Sequence, residues 1–165
     1  MRTNLFPRLD MGPADRILER MVADGAFCQA GRCFALPEFA VRFTPEQEML
    51  RDKLLNACKK DLFAPPERSA LSREHGKGKD YQKVLDYLTD EGELIPLEPD
   101  LLFAREAVEK AEALFRGLAQ DGPVTLAQFR DAIGTSRKFA MALLEYWDVT
   151  GLTRKTGDAR VLAKP

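Results

Sequence analysis

A single histidine and three cysteines among 165 residues leave little material for a metal centre. A structural zinc site takes about four closely spaced ligands, and His75 stands far in sequence from Cys28 and Cys33. No metal site is therefore expected. The odd cysteine count, without a signal-peptide pattern, fits free thiols in a reducing cytoplasm rather than a disulfide framework. Cys28 and Cys33 flank a turn, placed to face each other across a hairpin. No apolar run approaches the roughly 20 residues of a membrane span, so no membrane role is expected. No nucleophile–base set and no paired-carboxylate arrangement stands out, and no catalytic residue is assigned. Gly76-Lys77-Gly78-Lys79 lacks the spacing of a phosphate-binding P-loop and reads as a flexible turn.

Excess charge is missing too. The formal net charge is −1, which by itself argues for no polyanionic partner. Its distribution says more. Residues 136–165 carry six cations (Arg137, Lys138, Arg154, Lys155, Arg160, Lys164) against three acids (Glu145, Asp148, Asp158), a balance of +3 that leaves −4 on residues 1–135. An acidic body with a basic end suggests that this end meets a polyanion.

What is present is a repeat. Ile17–Gly25, Val84–Gly92 and Leu143–Gly151 each run two apolar residues, an acid, a large apolar residue two positions on, and a glycine four after that. The apolar positions share one helical face, and the glycine is placed to end the helix in a left-handed conformation. A short hairpin pattern follows each copy: Ala26–Gln29 with Cys33–Leu36, Leu94–Leu97 with Leu101–Phe103, and Leu152–Lys155 with Ala159–Leu162. Pro96 and Pro99 make the second less regular.

Helices also precede the repeated one. Thr44-Pro45-Glu46-Gln47 is a capping box opening a helix to about Lys60, and Glu67–Glu74 suits a short second helix. Arg105–Gln120 is amphipathic and stops at Gly122-Pro123. Thr125 with Gln128 forms another capping box, for a helix ending at Ile133 before Gly134. Helix, helix, helix, hairpin is the winged-helix order, a helix-turn-helix variant. The expected fold class is mostly α with small β-hairpins (α+β), built of tandem winged helices. The modules expected are a partial one at 1–43, with Met1–Leu9 as at most a second helix, then 44–103 and 104–165. The chain is expected to begin inside a module, as part of a longer protein.

The last module concentrates the cations where a winged helix presents its binding face. Ser136, Arg137 and Lys138 fall in the first turn of its third helix, where free N–H groups favour a phosphate. Arg154, Lys155 and Arg160 lie on the wing, and Gly157 frees its tip. Arg137 and Arg160 also have the fixed paired donors that read base edges. Solubilising surface charge is the bland reading of the same residues. Phe139 is expected to pack beneath the wing rather than stack on a base, and Trp147 to be core.

Phe129-Arg-Asp-Ala-Ile-Gly-Thr-Ser-Arg-Lys-Phe-Ala140, Leu143-Leu-Glu-Tyr-Trp147 and Thr153-Arg-Lys-Thr-Gly-Asp-Ala-Arg-Val-Leu162 closely resemble the C-terminal end of the bacterial selenocysteine-specific elongation factors, the SelB family. Phe43–Glu48, Leu62–Pro66 and Ile17–Gly25 look similar as well. The resemblance implies that residues 1–43 end the family's second winged-helix module and that 44–103 and 104–165 are its third and fourth. It implies that the fourth binds the mRNA hairpin marking a UGA codon for selenocysteine, through Ser136, Arg137, Lys138, Arg154, Lys155, Gly157 and Arg160. Arg130 matches the family pattern and either faces the RNA or braces the module. GTP, Mg and selenocysteinyl-tRNA would belong to a GTPase part absent here, which would also reach the ribosome. The chain itself would be a non-enzymatic monomer without a cofactor. Two other readings stay open: a DNA-binding winged-helix regulator and a protein-interaction scaffold.

Overall fold

A computed structural model of the chain describes residues 11–30, 33–35 and 42–163. Residues 1–43 and 44–165 form separate compact units. In the first, helix α1 (Met11–Ala23) is followed by Gly25 at φ 75° and a hairpin of β1 (Cys28–Ala30) and β2 (Cys33–Ala35). Its ladder sets Cys28 opposite Ala35 and Cys33 opposite Ala30, so the two cysteines are not cross-strand partners as expected. The helix expected at Met1–Leu9 and the turn tip at residues 31–32 lie outside the described residues.

The second unit begins with α2 (Pro45–Lys60). The Thr44 hydroxyl accepts from Gln47 N at 3.3 Å and Gln47 Oε1 accepts from Thr44 N at 3.2 Å, closing the expected capping box. Helices α3 (Arg68–His75) and α4 (Lys79–Asp90) follow, then β3 (Leu94–Glu98) and β4 (Leu101–Ala104). The β3–β4 register slips between Pro96 and Glu98. Proline supplies no ladder N–H, which is the irregularity expected there. β4 runs directly into α5 (Arg105–Leu118). Arg105 N donates to Glu93 O at 3.0 Å, and the side chain donates to Gly92 O at 2.8 Å and Glu91 O at 2.6 Å. A cation thus covers the carbonyl end of α4, where the helix dipole favours it. Gly92, at φ 69°, is needed there: a Cβ would stand 2.5 Å from Arg105 Nη2.

The terminal part continues with β5 (Val124–Thr125), α6 (Leu126–Ile133), α7 (Arg137–Thr150), β6 (Thr153–Thr156) and β7 (Ala159–Leu162). Its sheet has three strands in the order β5-β7-β6, all neighbours antiparallel, rather than the expected two-stranded hairpin. The second capping box forms as expected, with Thr125 N to Gln128 Oε1 at 2.9 Å and Gln128 N to Thr125 Oγ1 at 3.3 Å. Gly134 ends α6 in the left-handed conformation. The fold class is as expected: α+β, with helices carrying small antiparallel strands in winged-helix order.

Trp147, 1% exposed, is the centre of the terminal core, with ring centroids of Phe115 and Phe129 at 5.5 and 5.4 Å. The core is continuous with the preceding winged helix. Phe103 of β4 belongs to it, and Leu62, Phe63, Ile95 and Leu97 pack against it. Half-buried Phe139 meets the Phe103 ring edge-on at 6.0 Å, so it packs rather than standing free, but against β4 of the preceding module where packing beneath its own wing was expected. The Thr135 hydroxyl donates to Phe63 O at 2.5 Å. Aromatic and hydrogen-bonded contacts of this kind lock one module's angle to the next, because each contact has a narrow geometry.

Candidate nucleic-acid interface

A cleft of about 330 Å³ lies between α6, α7 and the wing formed by β6 and β7. It is lined by Arg130 and the Leu126–Ala127 turn of α6, Arg137 and Met141 of α7, and Lys155, Asp158 and Arg160 of the wing. Helical spacing aims Arg137 and Met141 the same way, one turn apart. Ladder pairing places Lys155 directly opposite Arg160, so both rise from one face of the wing. Four cations from three elements thereby converge on one concavity, although they are scattered over 30 residues of chain.

Their states differ. Arg137 and Lys155 are exposed and make no ion pair among the described residues. Arg130 is held by its neighbour Asp131, at 2.8 Å from Nε and 2.5 Å from Nη2. Arg160 is not the open wing cation expected from its position: its side chain is 6% exposed and its Nε donates to Asp148 Oδ2 at 2.8 Å. Asp148 Oδ1 also accepts from the Thr153 hydroxyl at 2.6 Å.

The other expected residues stand around the cleft rather than in its lining. Ser136 is the N-cap of α7 by position, yet its exposed hydroxyl makes no cap hydrogen bond. Lys138 is turned away, about 100° round the helix from Arg137. Its ammonium is bonded to Glu67, just before α3, and that hydrogen bond chiefly holds its pKa above the usual lysine value. Arg154 falls on the opposite face of the pleat from Lys155 and is exposed. Gly157, at φ 61°, forms the two-residue wing turn with Asp158.

Sequence reading missed Asp148, Met141 and Asp158. A signal for Asp148 did exist. The residue after the repeat's large apolar position is Val22 in the first copy, Thr89 in the second and Asp148 in the third. Among the described residues, no helix is long and apolar enough to cross a membrane.

This arrangement can seat an anion chain: two uncommitted cations rim a cleft floored by a fixed guanidinium. Residues 116–162, which contain the whole lining, match the family model described as elongation factor SelB, winged helix. The chain is similar to SelB. The selenocysteine-specific elongation factor of Desulfomicrobium baculatum is 28% identical over 153 residues, covering 90% of this chain and 24% of the relative. The Escherichia coli factor is 25% identical over 166 residues, covering 98% of this chain and 26% of its own length. The chain thus spans about a quarter of the curated relatives it matches. Among solved structures, the mRNA-binding domain of E. coli SelB in complex with SECIS RNA matches with a TM-score of 0.59 at 25% identity. All of that domain and 74% of this chain are covered. A crystal structure of bacterial selenocysteine-specific elongation factor EF-Sec matches 94% of this chain with a TM-score of 0.61 at 16% identity, a likeness of fold.

Proposed function

We propose that this chain is the mRNA-binding carboxy-terminal region of a selenocysteine-specific elongation factor, and that its terminal cleft binds the mRNA hairpin that marks UGA for selenocysteine. The supporting observation is the convergence of Arg130, Arg137, Lys155 and Arg160 on one cleft, inside a segment similar to SelB domains that include one solved with SECIS RNA. Exposed Arg137 and Lys155 take phosphates, with Arg154 and the Ser136 hydroxyl extending that track on the flanks. Arg160 and Arg130 face unpaired loop bases. An A-form stem hides its major-groove edges, so recognition combines backbone contacts with splayed bases.

The mechanism is tethering. The packing of Phe103 on Phe139, with the Thr135–Phe63 and Lys138–Glu67 contacts, holds the hairpin-binding module at a set angle to the winged helix before it. Selenocysteinyl-tRNA delivery and ribosome contact belong to the factor as a whole, in the cytoplasm. On this reading GTP and Mg belong to the GTPase part of the factor, and the role of this chain is binding, as a monomer; its Gly76–Lys79 stretch leads as an exposed turn into α4 and lacks P-loop spacing. A gel shift comparing an RNA hairpin pool with duplex DNA tests this reading. Preferential retention of hairpins that weakens as salt rises is expected, through counterion release. A preference for duplex DNA, or salt-independent binding, would refute it.

A further inference from the structure

Three copies of the module in one chain supply an internal control for the pair Asp148–Arg160. In each copy, the fourth residue after the helix-ending glycine has a ladder partner on the returning strand. These partners are Phe34 opposite Gln29, Leu102 opposite Pro96, and Arg160 opposite Lys155. The helix residue after the repeat's large apolar position is Val22, Thr89 and Asp148 in the same order. At these positions the first two copies carry Val with Phe and Thr with Leu. The third replaces both at once, by an acid and a cation that meet at 2.8 Å with the guanidinium almost fully enclosed.

Stability does not explain that exchange. An enclosed ion pair loses hydration on both groups, and apolar residues of similar volume are often equal or better. The other two copies use uncharged residues here. The pair occurs in the copy whose cleft gathers cations, and Arg160 lines that cleft. Asp148 takes Nε from behind, and its second oxygen is fixed by Thr153. Nη2 lies 3.9 Å from the Met141 sulfur, at the cleft wall. The guanidinium plane is therefore set by α7, and the small edge that Arg160 presents to the cleft has a fixed direction. A guanidinium held this way differs from the mobile Arg137 and Lys155: it suits the paired acceptors of a base edge better than a phosphate of variable position.

We infer that Asp148 is a positioning residue that converts Arg160 into a reader of one unpaired loop base, so that this pair sets which hairpin is chosen while the rim cations set how tightly any hairpin is held. The inference rests on the RNA-hairpin reading above. The class of base it favours is a purine presenting two acceptors, as guanine does through O6 and N7.

The test is selection from a pool of RNA hairpins with randomised loops, using the full chain and two variants. Wild type is expected to enrich a loop consensus. Asp148→Asn keeps an acceptor for Thr153 but turns Arg160 loose. It should lose the preference at one loop position by about 5- to 150-fold, while its affinity for the unselected pool stays within about twofold of wild type. The paired exchange Asp148→Thr with Arg160→Leu installs the middle copy's residues and should fold with an unchanged or higher melting temperature, yet lose the same preference. This second variant keeps the idea refutable if the single substitution fails to fold. An unchanged consensus in a folded variant, or an equal loss of affinity for every hairpin in the pool, would overturn the assignment to Asp148 and Arg160. Failure of the wild-type chain to enrich any hairpin would instead sink the RNA-hairpin reading itself.

Discussion

Arg137→Ala should move binding and stability in opposite directions. Arg137 is the first residue of α7, with no acid in that turn and the cation Lys138 beside it. A positive charge there opposes the helix dipole, so its removal should stabilise the fold by about 0.3–1 kcal/mol. No ion pair is lost among the described residues. The same guanidinium lines the cleft, where the proposed hairpin would meet it. A charge-assisted hydrogen bond is worth about 1.5–3 kcal/mol when shielded. Arg137 is exposed in the free chain, so the lower end applies, about 1–2 kcal/mol or 5- to 30-fold in Kd. If its partner is a phosphate, the slope of log K against log salt should flatten by about 0.7–0.9. Fluorescence titration of a labelled hairpin at several salt concentrations, together with thermal melting, reads all three quantities. Binding within twofold of wild type and an unchanged slope, in a variant that melts no lower, would show that the cleft is not where RNA sits.

Lys138→Ala should weaken hairpin binding less than Arg137→Ala in the same titration, because its ammonium is occupied by Glu67. A double-mutant cycle with Glu67→Ala in thermal melts should show the two residues coupled. Trp147→Ala empties the centre of the Phe115–Phe129 cluster and should cost about 3–5 kcal/mol in urea denaturation, a large share of the stability of an ordinary domain. Burial pushes the Cys58 thiol up to about 11 from 9.0. The folded state keeps its proton where the unfolded chain releases it, so stability should decline as pH rises through 9 towards 11. Iodoacetamide at pH 8 should label Cys58 only in denaturant, which peptide mass spectrometry would show. Thr125→Ala removes a cap used on both sides of the box and should cost about 0.5–2 kcal/mol.

What the sequence shows clearly here is local. Both capping boxes, the glycine-ended repeat helices and the wing turn depend on residues a few positions apart, and each formed where periodicity and cap chemistry placed it. β5 escaped notice because a two-residue strand carries no alternation; it exists only through pairing with β7, where Val124 meets Arg160, 36 positions further along the chain. The site was legible as a set of cations but not as a geometry. Arg137 and Lys138 are neighbours in sequence, yet the helical turn sends one to the cleft and the other to Glu67. Arg154 and Lys155 part in the same way across the pleat. Arg160 carries the same formal charge as the rest, and only the fold shows that Asp148 has claimed part of it.

Thr125 has a double membership. It is the last residue of β5, paired with Ala159 at the start of β7, and it is also the N-cap of α6. The wing and the helix facing it across the cleft are thus welded at one residue, and β7 is held on both flanks. A wing paired on both flanks has its backbone donors and acceptors committed, which favours a cleft formed before any ligand arrives; on the proposed RNA-hairpin reading, the conformational adjustment on binding then falls on the RNA loop. The rate of complex formation should then follow how readily a given loop splays its bases, and two hairpins of equal final affinity should differ in how fast they are captured.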